Sequence, residues 1–200
     1  MAKRIFDFLT SFLAIFLLLP FFVLIALIIK VDSKGGIFFI QTRVGKNLKP
    51  FKIYKFRTMK SDDSSYGEVK ENQNIYEARK DYKTTVNNDP RITRVGNVLR
   101  KFHLDELPQF YNVLIGDMSI VGPRPDVPAQ KADYTSSQWI RRHKVKPGIS
   151  GLSQIYSSHK KYSHNLRIAL DIKYTKRNNL IMDINIILQT TLSVFYGKGL

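Results

Sequence analysis

The hexapeptide "LDELPQ" at 104–109 sets Asp105 beside Glu106 in a chain that carries 32 Lys and Arg against 16 Asp and Glu. Adjacent residues on a helix point about 100° apart, so the two acids do not face each other as a proton-sharing pair would. Divergent carboxylates suit a division of labour, one as a nucleophile and the other as a ligand for a hard cation. Leu107, Phe110, Tyr111, Leu114 and Ile115 form an apolar stripe at helical spacing just after them. That spacing predicts a helix opened by Asp105 as N-cap, with Pro108 in its first turn. There the helix dipole and the neighbouring Arg100 and Lys101 should lower both carboxyl pKa values and keep both groups ionised. The plain alternative is structural, with Asp105 capping the helix and Glu106 enriching its first turn.

Two further stretches offer partners for anionic groups. In "GPRP", 122–125, Pro123 and Pro125 stiffen the backbone around Arg124, whose guanidinium can hold a phosphate bidentately. In "KFRTM", 55–59, strand alternation would place Lys55, Arg57 and Met59 on one face, so that Lys55 and Arg57 grip phosphates together. A solvated turn arginine and a solvated strand face are the ordinary readings of these fragments taken singly. "RVGKNLK" and "RVGNVLR" both lack phosphate-loop spacing, and His103, His143, His159 and His164 lack zinc-ligand spacing. With no cysteine, thiolate chemistry and disulfides are excluded.

The elements that must position these groups are legible in outline. The 44% hydrophobic content of the 200 residues supports one folded domain, and the net charge of +16 makes it a cation in search of anions: nucleic acid, anionic lipid or phosphorylated small molecules. Residues 5–29 are strongly apolar, with Asp7 their only charged side chain. At about 1.5 Å per residue this run can cross a hydrocarbon core of about 30 Å, and it is too long for a cleaved signal peptide. Lys3 and Arg4 precede it, while Lys30 and the basic remainder follow, so both flanks favour the cytoplasmic side. Pro20 is expected to break the helix so that it dips into the membrane and returns; an ordinary anchor with a proline kink is the alternative from length and hydropathy alone.

Beyond it, runs at 37–42 and 51–58 predict an irregular β-hairpin around "GKNLKP". A polar loop over 60–90 has room for a helix at 74–82, and helical spacing resumes at Ile92, Val95, Val98, Leu99 and Phe102. An extended piece at "SIVGPRPDVP" leads to a helix over 128–144 that "KPGISG" ends, then to helices over 164–178 and 180–196. The last is apolar around most of its circumference, which fits the core or a membrane surface equally. The expected fold is α+β and mostly helical: a membrane-embedded, re-entrant helix over 1–32, then a small β-hairpin and a cytoplasmic catalytic domain over 33–200 with interfacial helices.

In order, "KRIFD", a proline-interrupted apolar segment, "FKIYKFRTM", "DPRITRVGNVLRKFHLDELPQFYNVLIGDMSIVGPRP" and "KPGISGLSQI" resemble the bacterial sugar transferase family, the small monotopic phosphoglycosyl transferases. The resemblance covers nearly the whole chain outside the 60–90 loop. It implies a UDP-sugar and Mg2+ as donor and cofactor, and undecaprenyl (polyprenol) phosphate as acceptor. It also implies transfer of sugar-1-phosphate with release of UMP, at the bacterial inner (cytoplasmic) membrane with the catalytic domain facing the cytoplasm. On these residues it implies Asp105 as nucleophile and Glu106 as magnesium ligand. Arg100 and Arg124 would grip phosphate, Pro123 and Pro125 would floor the nucleotide, and Lys55 and Arg57 would line the same cleft. It favours the re-entrant course broken at Pro20, where Leu19 replaces the family's frequent small polar residue and Ser11 or Thr10 could serve the freed carbonyls instead. His103 stands where relatives often carry Ser or Thr. Nucleic acid is not an expected partner, and the C-terminal helices leave room for a homo-oligomer. The rival reading is a membrane-tethered basic protein that binds nucleic acid or anionic lipid without catalysis.

Overall fold

The computed structural model describes residues 2–60, 69–70, 73–82, 89–157 and 162–195. Helix α1 runs from Ala2 to Asp32 without interruption, Pro20 included. The expected break at Pro20 is thus not a gap in the helix. Proline removes one backbone donor, and among apolar neighbours opening the helix further would orphan more peptide groups than it relieves. The buried and half-buried positions Asp7, Ser11, Leu18, Phe22, Ile25 and Ile29 recur on one stripe, while Phe16, Leu17, Leu19 and Phe21 are exposed. The helix is long and apolar enough to cross a membrane.

Both ends of α1 are fastened to the same folded body. At the start, Arg4 donates to the carbonyls of Val113 and Leu114 at 2.6 and 2.8 Å, and Lys3 pairs with the buried Asp183. The Asp7 carboxylate accepts from Ser119 Oγ and the Ile120 amide, both at 3.1 Å. Ser11 donates to the Asp7 carbonyl one turn back, far from the carbonyl that Pro20 frees. At the other end, Ile25 and Ile29 pack against Phe56 and Leu99.

Strands β1 (Phe38–Val44) and β2 (Pro50–Phe56) form the expected antiparallel hairpin, with Phe39 opposite Lys55 and Gln41 opposite Ile53. Helix α2 (Ile75–Asp81) falls where the 74–82 helix is expected; much of the surrounding loop lies outside the described residues. Helix α3 (Arg94–Lys101) starts at the Thr93 cap, whose hydroxyl accepts from the Gly96 amide. Helix α4 (Gln109–Ile115) follows, then β3 (Ser119–Val121).

The helix expected over 128–144 is two pieces, a 3-10 segment at Pro128–Asp133 and α5 at Ser136–Arg142. Thr135 starts the second piece with a capping box to Gln138, so its hydroxyl binds backbone that a continuous helix would have used. "KPGIS" contributes β4 (Gly148–Ser150), parallel to β3, which sequence patterning does not reveal. A Cβ on Gly148 would lie 2.0 Å from the Gly122 amide, so only glycine lets these backbones approach. Helices α6 (Leu152–Ile155), α7 (His164–Arg177) and α8 (Leu180–Phe195) complete the α+β fold. The main core gathers Ile53, Val113, Met118, Val121, Tyr174 and Ile186, so the hairpin, α4, β3, α7 and α8 share one interior.

Candidate active site

The acid pair sits on a single 3-10 turn, Leu104–Glu106, between α3 and α4. Before it, His103 takes a left-handed conformation at φ 55°, which reverses the chain. In such a turn residues three apart lie above one another. Leu104 and Leu107 therefore share one side and pack into the cluster made by Phe56, Leu99 and the end of α1. The opposite side of the turn opens onto a cleft of about 480 Å3, lined by Asp105 and Glu106. Asp105 is thus not the N-cap of α4; that position is Pro108. The proline's fixed φ and the preceding 3-10 turn set the helix start three residues later than the apolar stripe implies.

Glu106 is nearly buried and committed. Its Oε1 accepts from Lys55 Nζ at 2.6 Å and from Arg124 Nη2 at 3.0 Å. Burial alone would raise its pKa, but Arg124 and then Lys55 outweigh burial and hold the carboxyl well below the usual range. Asp105 differs. Among the described residues it forms no ion pair, and burial pushes its pKa up, helped by Glu106 and opposed by Lys55, Arg100 and Arg124. The expectation that both acids are held at low pKa is corrected for Asp105: desolvation at the cleft wall exceeds the pull of cations that are not in contact with it.

The cations arrive from three elements. Lys55 projects from the cleft face of β2. Arg124 emerges between the buried Pro123 and Pro125, and its own carbonyl accepts from Arg142 Nη2 at 2.6 Å. Arg142 is itself buried between Asp126 and Asp171, so a desolvated ion-pair frame holds the "PRP" loop from behind. Arg100 reaches in from α3, with its Nε donating to Thr58 Oγ1 at 2.8 Å.

The cleft therefore brings together Asp105, Glu106, Lys55, Arg100, Arg124 and Pro125. Pro123 lies beneath the wall, where its carbonyl accepts from the Gly148 amide, and it does not line the cleft. Arg57 borders the cleft, but it does not join Lys55 in a shared grip on phosphate. Its guanidinium turns to the carbonyls of Ser33 and Lys34 at the end of α1. Pro20 lies on α1, outside the cleft.

Sequence reasoning missed Arg43, Arg91 and Arg167 as cleft residues. Arg43 was recoverable, because the hairpin register places Phe39, Gln41 and Arg43 on the Lys55 face. Arg91 comes from the turn before α3 and Arg167 from the distant helix α7, with no local signal. The described lining residues include six arginines and Lys55 against Asp105, Glu106 and Asp126, an excess of positive charge suited to diphosphates even with the Arg57 guanidinium turned to α1.

The sequence profile described as "Bacterial sugar transferase" matches residues 1–197, and the chain belongs to that family. It is a transferase and, with its long uncovered apolar helix, a membrane protein. It is 39% identical to the "Exopolysaccharide production protein PSS" of Rhizobium leguminosarum bv. phaseoli, over 98% of this chain and 97% of that one. It is 39% identical to the "UDP-glucose:undecaprenyl-phosphate glucose-1-phosphate transferase" of Escherichia coli (strain K12) and 37% identical to the "UDP-N-acetylgalactosamine-undecaprenyl-phosphate N-acetylgalactosaminephosphotransferase" of Aeromonas hydrophila. Each of these matches covers 98% of this chain but only 41% and 44% of the relative, so the chain spans less than half the length of those two.

Proposed function

We propose that this protein transfers sugar-1-phosphate from a UDP-sugar to undecaprenyl phosphate through a phosphosugar carried on Asp105. The observation that carries the reading is the contrast within the acid pair: Glu106 is ionised and held by two cations, while the desolvated Asp105 has a raised pKa and no ion-pair partner among the described residues. Carboxyl groups whose surroundings drive their pKa values apart divide chemical roles, and a raised pKa makes the better nucleophile.

In the first step an Asp105 oxygen attacks the sugar-bearing phosphorus. The bond from that phosphorus to the bridging oxygen breaks, and UMP leaves with the bridging oxygen. In the second, an oxygen of the lipid phosphate attacks the same phosphorus, the acyl-phosphate bond breaks, and the Asp105 carboxylate is restored. Arg100 and Arg124 flank Asp105 and stabilise charge spread over the phosphoryl oxygens.

The acid pair also fits Mg2+, which prefers one or two carboxylates together with substrate phosphates. The Glu106 Oε1 takes both cations, and its Oε2 carries neither bond. Oε2 and Asp105 are the oxygens that would hold the ion, which when bound offsets phosphate charge.

The fastening of both ends of α1 to one body supports a re-entrant membrane course. A spanning helix would carry its ends to opposite sides, so the helix enters and leaves on the face where the domain sits. That face is the cytoplasmic side of the inner membrane, and the exposed stripe Ile181, Ile184, Leu188 and Leu192 of α8 lies at the interface.

Incubating the protein with UDP-sugars labelled at the β-phosphorus, without lipid, tests the chemistry. Label retained on the wild type and lost in Asp105→Asn, with UMP released in proportion, is the expected result. UMP that appears only when both substrates are present overturns the covalent route.

A further inference from the structure

Four consecutive residues, Lys55–Thr58, join the active site to the membrane helix, with Lys55 and Thr58 on the site and Phe56 and Arg57 on the helix. Lys55 binds Glu106, and Phe56 packs edge-on against Phe22 of α1 with ring centroids 5.6 Å apart. Arg57 is 3% exposed. Its Nη2 donates to the Ser33 carbonyl at 2.8 Å and to Ser33 Oγ at 3.0 Å, its Nη1 donates to the Lys34 carbonyl, and its amide donates to the Ile37 carbonyl. Thr58 then accepts from Arg100. One tetrapeptide thus supplies Lys55, holds Arg100 through Thr58 and reaches the exit of α1 through Arg57.

The receiving side is shaped for this contact. The buried contact needs donors for the Ser33 and Lys34 carbonyls, just past the end of α1, and a planar guanidinium can serve both at once. Gly35 follows at φ +125°, a conformation that L side chains rarely adopt, and a Cβ there would lie 1.9 Å from Arg57 Nη1. Lys30 closes the same turn by donating to the Gly35 carbonyl at 2.9 Å.

We infer that Arg57 is a positioning residue that latches the exit of the membrane helix to β2, so that Lys55, Glu106 and Arg100 are held at a set height relative to the lipid phase. The inference rests on the transfer reading above. An acceptor whose phosphate sits at a fixed depth can be attacked only if the catalytic turn is registered to that depth, and misplacement by about 1 Å costs up to about a hundredfold in rate. Arg57 Nε is buried without a partner and Arg57 borders the cleft, so direct contact with a substrate phosphate is the competing role.

Two variants separate the roles. Arg57→Lys keeps the charge but cannot fork across two carbonyls, and Gly35→Ala breaks the latch from outside the cleft. Turnover is measured on undecaprenyl phosphate in liposomes and on a short-chain prenyl phosphate in detergent, and hydrogen exchange over 33–37 is followed in nanodiscs. Both variants are expected to lose about tenfold on the liposomal acceptor, to keep most activity on the short-chain acceptor with donor KM unchanged, and to exchange faster at 33–37. A raised donor KM in Arg57→Lys with wild-type behaviour in Gly35→Ala overturns the inference in favour of substrate contact. Equal loss on both acceptors overturns it in favour of general destabilisation. Unchanged exchange in both variants overturns the latch itself. A wild type that transfers to neither acceptor overturns instead the reading of the reaction.

Discussion

Asp105 and Glu106 differ in what surrounds them, and that difference has measurable consequences. Attack requires ionised Asp105, so kcat/KM should fall on the acid side around a pKa raised above the usual carboxylate range by burial. Lys55 is the first of the groups that lower that pKa, so Lys55→Met should move the acid limb to higher pH. A pH–rate profile of the two proteins checks both. The sign for stability is opposite to that of an ordinary paired acid. A carboxyl whose folded pKa is raised stabilises the fold only while protonated, and that contribution is lost as pH rises through the folded value. Asp105→Asn should therefore abolish transfer yet raise Tm at neutral pH, with the gain shrinking as the pH is lowered. The residue types were legible from the start in "LDELPQ", "KFRTM" and "GPRP". Which cation meets which group was not. Arg57 and Lys55 share a strand pattern, but the free carbonyls that claim Arg57 arrive from residues 33 and 34 by tertiary packing.

The hairpin is an element with an edge to protect. Asn112 on α4 does this with one side chain: its Oδ1 accepts from the Tyr54 amide at 3.0 Å, and its Nδ2 donates to the Lys52 carbonyl at 2.7 Å. Asn112 is fully buried, so Asn112→Ala leaves two strand groups without partners. Chemical denaturation should show a loss of about 2–4 kcal/mol, and Lys55, one residue along, should lose its fixed approach to Glu106. Long periodic elements such as α1, α7 and α8 follow from their patterns alone. The parallel pair β3–β4 does not, because three residues show no periodicity and its pairing depends on Gly148 meeting Gly122. The split at Thr135 was equally hidden, since a capping hydroxyl competes locally with helix continuation.

For the molecule as a whole, the re-entrant course predicts that both flanks of α1 are reached from one side. The chain has no cysteine, so single cysteines at Ala2 and Gly36 can be introduced without background. Both should react with an impermeant maleimide in inside-out vesicles, and neither in right-side-out ones; reaction of one in each preparation would mean that the helix crosses. The fastenings at the start of α1 also impose an order on biogenesis. Lys3, Arg4 and Asp7 leave the ribosome well before their partners Val113, Leu114, Ser119, Ile120 and Asp183, the last of them 180 residues after Lys3. The apolar helix must therefore wait in or at the bilayer, its polar end not fully secured, until Asp183 has been translated. A nascent chain stalled before residue 183 would hold an anchor whose first turn lacks its last tether, open to whichever insertase or protease finds it first.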